Sequence, residues 1–299
     1  MSSRIMSIHA QSPLHAGTGQ STGAIDLAIA RNQATGVPLL PGSSIKGALR
    51  ARAMGTATTQ SVQHRDLFGP DTTRASEQAG AMAFGDAELL LLPVRTMRGT
   101  FAWVTSSWLL IRHNRDRRAA GLNALPSPRV KQSQCVLPVP RTESAVVDGA
   151  GVVHLEELDL RVDSAKKVQE AAAAMAEGLA KVIFPDSAAW QDLLKGKLVY
   201  VHDDMMAFLW HHALQIDARI AMNHETGTVK DGGLWHEESL PPETVLTSLV
   251  THTPTRRATT AEGDMWDHLR AASTGLVQFG GKATVGRGRC QVTWVGGEA

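Results

Sequence analysis

A glycine-rich stretch with basic side chains, residues 280–288, could bind phosphate groups near the C-terminus. Glycine lacks a Cβ, so the amides of Gly280 and Gly281 can approach an anion closely, and the backbone there can adopt positive φ values. Lys282 and Arg287 add positive charge beside those amides. A loop of this kind can bind phosphates through its N–H groups as well as through its side chains. It lacks the GK[ST] sequence and the following helix of nucleotide-binding loops, and a plain hairpin connection is the alternative.

A second glycine-rich segment near the N-terminus contains His15 and leads to Asp26, the only carboxylate in the first 65 residues. Beside bound phosphates, an isolated carboxylate could hold a divalent metal or position a nucleophile. The imidazole of His15 could donate a hydrogen bond to a phosphate. The structural alternatives are a turn or capping role for Asp26 and a packing role for His15.

Zinc and membrane sites have little support in the sequence. Cys135 and Cys290 lie 155 positions apart, and the twelve histidines form no HExxH or His-x-His motif, although His211 and His212 are adjacent. We therefore expect free thiols in a reducing cytoplasm and no dedicated zinc site. We also expect no membrane span, because the sequence has no run of 18 apolar residues and no apolar N-terminal segment.

The charge of the chain is polarised although its net charge is only +1. Residues 1–150 contain 16 Lys and Arg against 9 Asp and Glu, whereas residues 151–299 contain 14 against 20. One half could therefore bind a polyanion while the two halves attract each other in neighbouring molecules. The alternative is that these charges are spread over the fold.

Apolar periodicity and turn residues predict an α+β fold in one domain. A helix is expected to be capped at Ser43 or Ser44, with Lys46 and Arg50 sharing one face toward solvent or ligand at i, i+4 spacing. The aperiodic stretch 112–141 is expected to be a long loop or insertion, and 218–242 a loop or hairpin. The other predicted strands are 4–10, 81–94, 101–107, 152–162, 197–202, 244–251, 275–279 and 289–295, and the other helices are 163–183, 187–194 and 263–272.

Several of these motifs together resemble the RAMP superfamily of CRISPR proteins. They are TGVPLLPGSSIKGALR and FGGKATVGRGR, with SPLHAGTG and IDLAIAR before them. The segment RIAMNHETGTVKDGGLWHEESLPPET is more specific, because it resembles the repeated backbone subunit of the type III-B (Cmr) RNA-guided effector complex. The resemblance covers both ends of the chain and the region 217–245.

This resemblance implies a single domain over residues 1–299, built as a ferredoxin-like (RRM-like) palm with finger insertions and a protruding β-hairpin thumb. The main insertion would lie at about 95–150 and the thumb at about 217–245. The implied partners are guide RNA, target RNA, further copies of the chain stacked head to tail, and other subunits of the effector complex. The implied location is the cytoplasm.

The resemblance also implies roles for individual residues. Asp26 lies at the position of the aspartate that carries metal-dependent cleavage of target RNA, with Mg²⁺ or Mn²⁺ as the expected ion. Glu237 and Glu238 lie where relatives carry an acid near the cut site. Together with His15, noted above from its position in the N-terminal loop, they are the other candidate catalytic residues. Some relatives carry a tyrosine near that acid, whereas here Ser239 or His236 lies nearby. The expected RNA contacts are Ser43, Ser44, Lys46, Arg50, Gly280, Gly281, Lys282 and Arg287, with Leu234 and Trp235 as residues that wedge between guide and target.

Two other functions stay open at this point. The chain could be a structural RNA-binding subunit that cuts nothing, or a stand-alone RAMP endonuclease that processes precursor guide RNA with histidine chemistry and no metal. The long thumb segment and Asp26 favour the cleaving backbone subunit over the metal-independent endonuclease.

Overall fold

A broad, mainly antiparallel sheet organises the computed structural model, which describes residues 1–19, 25–57, 59–74 and 76–296. Within these residues the strand order is β13-β14-β1-β12-β4-β5-β9-β6-β8-β7, with β2 on β4 and β3 on β12. The strands are β1 Ser3–Ala10, β2 Leu39–Leu40, β3 Met82–Phe84, β4 Ala87–Arg95, β5 Phe101–Ser106, β6 Gln134–Val136, β7 Val152–Leu155, β8 Leu158–Val162, β9 Leu198–Val201, β12 Val245–His252, β13 Leu276–Gln278 and β14 Arg289–Val295.

Helices cover both faces of this sheet. They are α1 Gly42–Met54, α2 Val62–Phe68, α3 Ser107–Ala119, α4 Lys166–Ile183, α5 Ala188–Lys197, α6 Asp203–His212 and α7 Glu262–Ser273. The four leucines Leu89–Leu92 of β4 pack into two core clusters. Leu89 and Leu92 belong to the core cluster that contains α1 and α7, and Leu90 and Leu91 to the cluster that contains α4 and α5. A strand that is buried on both faces reads as a continuous apolar run. The prediction of a mixed α and β fold is confirmed.

Several of the predicted elements differ from the observed ones, and residues 152–162, predicted as one strand, form the two antiparallel strands β7 and β8. Helix α3 begins at the end of the predicted strand 101–107 and extends into the stretch 112–141, which was expected to be a loop; its buried side includes polar residues and so lacks an apolar period. Asn114 and Arg117 hydrogen-bond the backbone carbonyls of Leu125 and Asn123. The predicted strand 81–94 is divided into β3 and β4 by residues 85–86.

Helix α1 begins at Gly42, before both serines that were predicted to cap it, and has no side-chain cap. Pro41 precedes it without a side-chain hydrogen bond to the helix, while the Gly42 N–H donates to Asp86 Oδ1 at 2.8 Å. A distant carboxylate thus satisfies one of the unpaired amides of the first turn. Ser43 and Ser44 are left exposed within that turn.

A separate two-stranded sheet, a hairpin, consists of β10 (Gln215–Met222) and β11 (Val229–Ser239). Their register places Arg219 opposite Trp235 and Ile220 opposite Leu234. Burial alternates along β10, with every second residue exposed. Side chains alternate between the two faces of a strand, so the hairpin has one face toward the protein and one toward solvent.

The connection from β13 to β14 is the glycine-rich loop 280–288. Gly280, Gly286 and Gly288 have positive φ values, as does Lys282. A Cβ on Gly288 would collide with the backbone carbonyl of Phe279, whereas nothing lies within 4 Å of the corresponding position at Gly286. Gly288 is therefore required for both its conformation and its close packing. No helix among the described residues combines the length and apolar character needed to cross a membrane.

These two glycines form a matched pair for testing the loop. Gly286→Ala should lower the free energy of unfolding by about 1–2 kcal/mol, the cost of a left-handed conformation for alanine. Gly288→Ala should cost about 1–3 kcal/mol more, because overpacking adds to the same conformational cost. Urea unfolding followed by circular dichroism measures both, and equal losses would show that the loop repacks around the added methyl group.

Candidate active site

The segment that contains Asp26 is joined to the edge of the hairpin strand β11. Leu27 forms a parallel bridge with Glu237, its N–H donating to the carbonyl of His236 at 3.1 Å and its carbonyl accepting the Glu238 N–H at 3.0 Å. Farther along the segment, Ile29 pairs with Gly17 in an antiparallel bridge. The segment is therefore held between the N-terminal glycine-rich region and the hairpin.

Asp26 lies at the foot of the hairpin with 53% of its side chain exposed. Its Oδ2 accepts a hydrogen bond from the backbone N–H of His236 at 2.8 Å. The imidazole Nδ1 of His236 lies 3.7 Å from the same oxygen, and that side chain is 46% exposed. The carboxylate is thus oriented by the hairpin backbone and accessible to a ligand.

The carboxylate of Glu237 is buried and accepts several donors. Lys282 Nζ and Trp235 Nε1 each donate to Oε1 at 2.9 Å, and Arg219 Nε lies 3.4 Å from Oε2. Burial alone would raise the pKa of Glu237, but hydrogen bonds from Lys282 and Trp235 and the charges of Lys282 and Arg219 outweigh it and lower that pKa to about 2. Glu237 is therefore ionised at neutral pH and committed to these partners.

Glu238 is also buried, and it faces the Asp26 segment. Its Oε1 accepts from Arg31 Nη2 at 2.6 Å and its Oε2 accepts the Ile29 N–H at 3.0 Å. The same guanidinium donates through Nη1 to the carbonyls of Gly36 and Trp210. The adjacent glutamates thus point to different parts of the protein, one to the glycine-rich loop and the other to the Asp26 segment.

His15 joins these parts from a buried position. Its Nδ1 lies 2.7 Å from the carbonyl oxygen of Glu238, and its own carbonyl accepts the Gly281 N–H at 2.9 Å. A Cβ on Gly280 would collide with that same carbonyl. Gly280 and Gly281 therefore allow the C-terminal loop to lie directly against the N-terminal segment.

Leu234 and Trp235 lie on opposite faces of the hairpin. Leu234 is 59% exposed and pairs with the exposed Ile220, on the face that also contains His236. Trp235 is half-buried on the other face, where its indole N–H binds Glu237. An exposed apolar face at the foot of which a carboxylate is accessible can contact planar, weakly hydrated groups beside a charged reaction centre.

The predicted α1 residues form a separate basic region. Burial and the neighbouring Arg50 lower the pKa of Lys46, while Arg50 Nη2 donates to the Pro70 carbonyl at 2.7 Å. Within the described part of the chain, no hydrogen bond or ion pair joins Lys46 or Arg50 to the hairpin. Arg52 does connect α1 to the strand before the glycine-rich loop, donating to the carbonyls of Thr274 and Leu276.

Sequence reasoning missed Arg31, Arg219 and Asp217, which bind the residues it had singled out. No spacing signal could identify them, since each partner is distant in the sequence or separated from it by the hairpin turn. His236 was noticed only as a neighbour of the thumb acid, although the period of two along β11 separates it from Trp235 and Glu237. Across residues 1–19, 25–57, 59–74 and 76–296, no group of three or more His, Cys, Asp or Glu side chains could hold a metal ion by itself.

The fold and this geometry define an α+β protein with a projecting hairpin whose foot presents one accessible carboxylate. The RAMP superfamily model matches residues 7–291. The Cmr endoribonuclease Cmr4 of Pyrococcus furiosus is 33% identical over 98% of this chain and 96% of its own length. This chain therefore belongs to the RAMP superfamily.

Solved structures have the same fold. The crystal structure of oligomeric Cmr4 from Pyrococcus furiosus has a TM-score of 0.72, with 23% identity, and the match covers 99% of this chain and all of that one. A chain of the type III-B Cmr-beta complex bound to cognate target RNA, solved by cryo-EM, has a TM-score of 0.73, with 19% identity and coverage of 98% and 97%. The similarity extends over essentially the whole length of each chain.

The lowered pKa of Glu237 predicts a pH-dependent contribution to stability. A carboxylate whose pKa is lowered from 4.5 to about 2 stabilises the folded protein above its unfolded-state pKa, and this stabilisation is lost as the pH falls from about 5 to 2. Glu237→Gln should therefore lower the free energy of unfolding by about 3 kcal/mol at pH 7, and the difference from wild type should shrink toward pH 3. Urea unfolding at each pH measures this difference.

Glu225→Gln, at the exposed turn of the same hairpin, is the matched control and should change the free energy of unfolding by less than about 0.5 kcal/mol. A difference between Glu237→Gln and wild type that is constant from pH 7 to pH 3 would contradict the assigned ion pairs.

Proposed function

We propose that this chain is the repeated backbone subunit of a type III-B CRISPR effector complex, stacking along guide RNA and cleaving the complementary target RNA. The observation that carries the proposal is the accessible Asp26 at the foot of a projecting hairpin, in a chain 33% identical to a Cmr endoribonuclease. The partners are guide RNA, target RNA, other copies head to tail and other subunits of the complex, in the cytoplasm. In this assignment the main sheet and its helices contain a ferredoxin-like palm, residues 95–150 a finger insertion, and the hairpin the thumb.

The guide RNA contacts are assigned to the basic region of α1 and to the glycine-rich loop. Lys46 and Arg50 supply positive charge, Ser43 and Ser44 supply exposed hydroxyl groups, and Gly280 and Gly281 place backbone close to the bound strand. Contacts with phosphate and sugar carry no sequence information, so such a surface can hold any guide. Aromatic residues make up only 5% of the chain, which also favours backbone contacts over base stacking.

The exposed face of the hairpin is assigned to the duplex between guide and target. Leu234 and Ile220 would lie against a displaced base, while Trp235, on the opposite face, supports Glu237 and does not itself act as a wedge. A displaced nucleotide leaves the backbone kinked next to Asp26. A kink of this kind can align the 2′-OH with the adjacent phosphorus and the departing oxygen, and correct alignment supplies a large part of a catalytic rate.

Cleavage in this proposal is an attack of the target 2′-oxygen on the neighbouring phosphorus. The 2′-hydroxyl loses its proton to water as the 2′-oxygen bonds to phosphorus, the bond from phosphorus to the 5′-oxygen breaks, and the departing 5′-oxygen takes up a proton from water. The products are a 2′,3′-cyclic phosphate and a 5′-hydroxyl group. Asp26 lies where it can bind the reacting groups, while His15, Glu237 and Glu238 are buried and position the segments around it.

Mg²⁺ or Mn²⁺ could bind at Asp26 only if the RNA substrate supplies further ligands to the same ion. One accessible carboxylate is too few for a protein-built metal site, but Mg²⁺ commonly binds through one or two carboxylates together with phosphates of the substrate. Asp26 would hold the ion, and a bound ion would stabilise negative charge developing on the phosphate. Chelation also separates this proposal from a metal-independent guide-processing endonuclease, because EDTA should stop only the metal-dependent reaction.

The central test of function is Asp26→Asn. Asparagine retains an oxygen that can accept the His236 N–H, so folding and RNA binding should be unchanged, but the negative charge is lost. Complexes built with this variant should bind complementary RNA as tightly as wild type and cut it at least about 100-fold more slowly, the lower end for loss of a catalytic group. Gel assays of binding and of single-turnover cleavage measure the two effects separately.

Asp231→Asn removes an exposed carboxylate from the same hairpin and is the control, with cleavage expected at the wild-type rate. Cleavage by the Asp26→Asn complex at the wild-type rate, in the presence of Mg²⁺ or Mn²⁺, would mean that this chain is a scaffold and that the nuclease is another subunit.

A further inference from the structure

The two basic side chains of the glycine-rich loop face the hairpin. Arg287 is 4% exposed, its Nη1 donating to Ser239 Oγ at 2.6 Å and its Nη2 to Asp217 Oδ2. Lys282 Nζ donates to Glu237 Oε1 at 2.9 Å. Both cations are therefore paired with carboxylates of the hairpin, which makes them poor candidates for contacts with RNA phosphates.

The hairpin depends on such contacts for its orientation. Its two strands form a sheet separate from the main one, and an isolated two-stranded hairpin is marginally stable in water. At its foot, Leu14 and Leu240 form a bridge, and the Asp26 segment pairs with β11 as far as Leu27 and Glu237. The polar face is joined to the protein by the pairs of Lys282 and Arg287.

We propose that Lys282 and Arg287 are positioning residues that fix the polar face of the hairpin to the glycine-rich loop, and so hold its opposite face and Asp26 in one orientation toward RNA. This inference rests on the proposed function in one respect, because its expected consequence is accurate cleavage of target RNA. The structural part, control of hairpin mobility by these two residues, does not require that function.

Charged pairs with one buried member suit this role because they are directional, and here Glu237 and Arg287 are buried while Lys282 and Asp217 are 35% and 31% exposed. Removing one partner leaves the other charge buried without compensation, so the remaining arrangement is strongly destabilised. Each pair joins one position of the loop to one position of the hairpin, Lys282 to Glu237 on β11 and Arg287 to Asp217 on β10. Two such attachments, one on each strand, prevent rotation of the hairpin about its own axis.

The test uses two variants. Lys282→Met removes the loop member of the pair with Glu237, and Asp217→Asn removes the hairpin member of the pair with Arg287. Both should accelerate hydrogen exchange of the β10 and β11 amides in the protein without RNA by at least about tenfold, because they loosen one local unit. In the assembled complex both variants should leave RNA affinity and its salt dependence unchanged. Both should slow cleavage about 10- to 100-fold and broaden the set of cut positions, as expected when reacting groups are misplaced.

Arg289→Met and Asp231→Asn are the controls. Each removes one exposed charge nearby and should leave hydrogen exchange of the hairpin unchanged.

Asp217→Asn distinguishes positioning from RNA binding, because the loss of a carboxylate cannot remove a phosphate contact. A fall of roughly 0.7 in the log–log salt slope for Lys282→Met, one lost single-strand phosphate contact, would overturn the proposal, as would unchanged hairpin exchange in both variants. If the wild-type complex does not cleave RNA, the proposed function fails, while the exchange measurement still decides whether Lys282 and Asp217 fix the hairpin.

Discussion

The buried carboxylate of Glu238 connects the two parts of the molecule on which the candidate site depends. It belongs to the hairpin, yet both of its oxygens bind the segment that contains Asp26, one through Arg31 and the other through the Ile29 N–H. Breaking a buried pair of this kind costs several kcal/mol, so the segment and the hairpin move as one unit. The accessible carboxylate of Asp26 is therefore fixed relative to the hairpin face that contains Leu234.

Because side chains alternate along β11, the two faces of the hairpin have different partners and different roles. Trp235, Glu237 and Ser239 face the glycine-rich loop, whereas Leu234, His236 and Glu238 face the other way. The inner face is occupied by the ion pairs with the glycine-rich loop, whereas the outer face is apolar and exposed at Leu234 and ends in the buried Glu238 beside the Asp26 segment. A shift of one residue in register would exchange these faces, so the register of the hairpin matters more to the site than any single contact.

The amino-acid sequence predicts the α+β fold and the amphipathic helices, because each follows from a local period. For residues 218–242 the turn residues left a loop or a hairpin open, and only the resemblance to the RAMP superfamily implied a hairpin. It does not distinguish Glu237 from Glu238, since adjacent acids have the same composition around them and only the fold shows which partner each one meets. Lys282 and Arg287 were assigned to phosphates for the same reason. A sequence displays their charge, but their partners, Glu237 and Asp217, lie 45 and 70 positions away. Helix α3 was missed because its buried side is partly polar.

We propose that target RNA is cut at the foot of the hairpin, beside Asp26 and His236. Photo-crosslinking tests it most directly. A target RNA with 4-thiouridine at the nucleotide whose 2′-oxygen attacks is bound to complexes of the Asp26→Asn chain, irradiated, and the cross-linked peptides are identified by mass spectrometry. If cleavage takes place at the foot of the hairpin, cross-links form to residues 25–31 or 215–239. Cross-links confined to α1 or to residues 95–150 would contradict it.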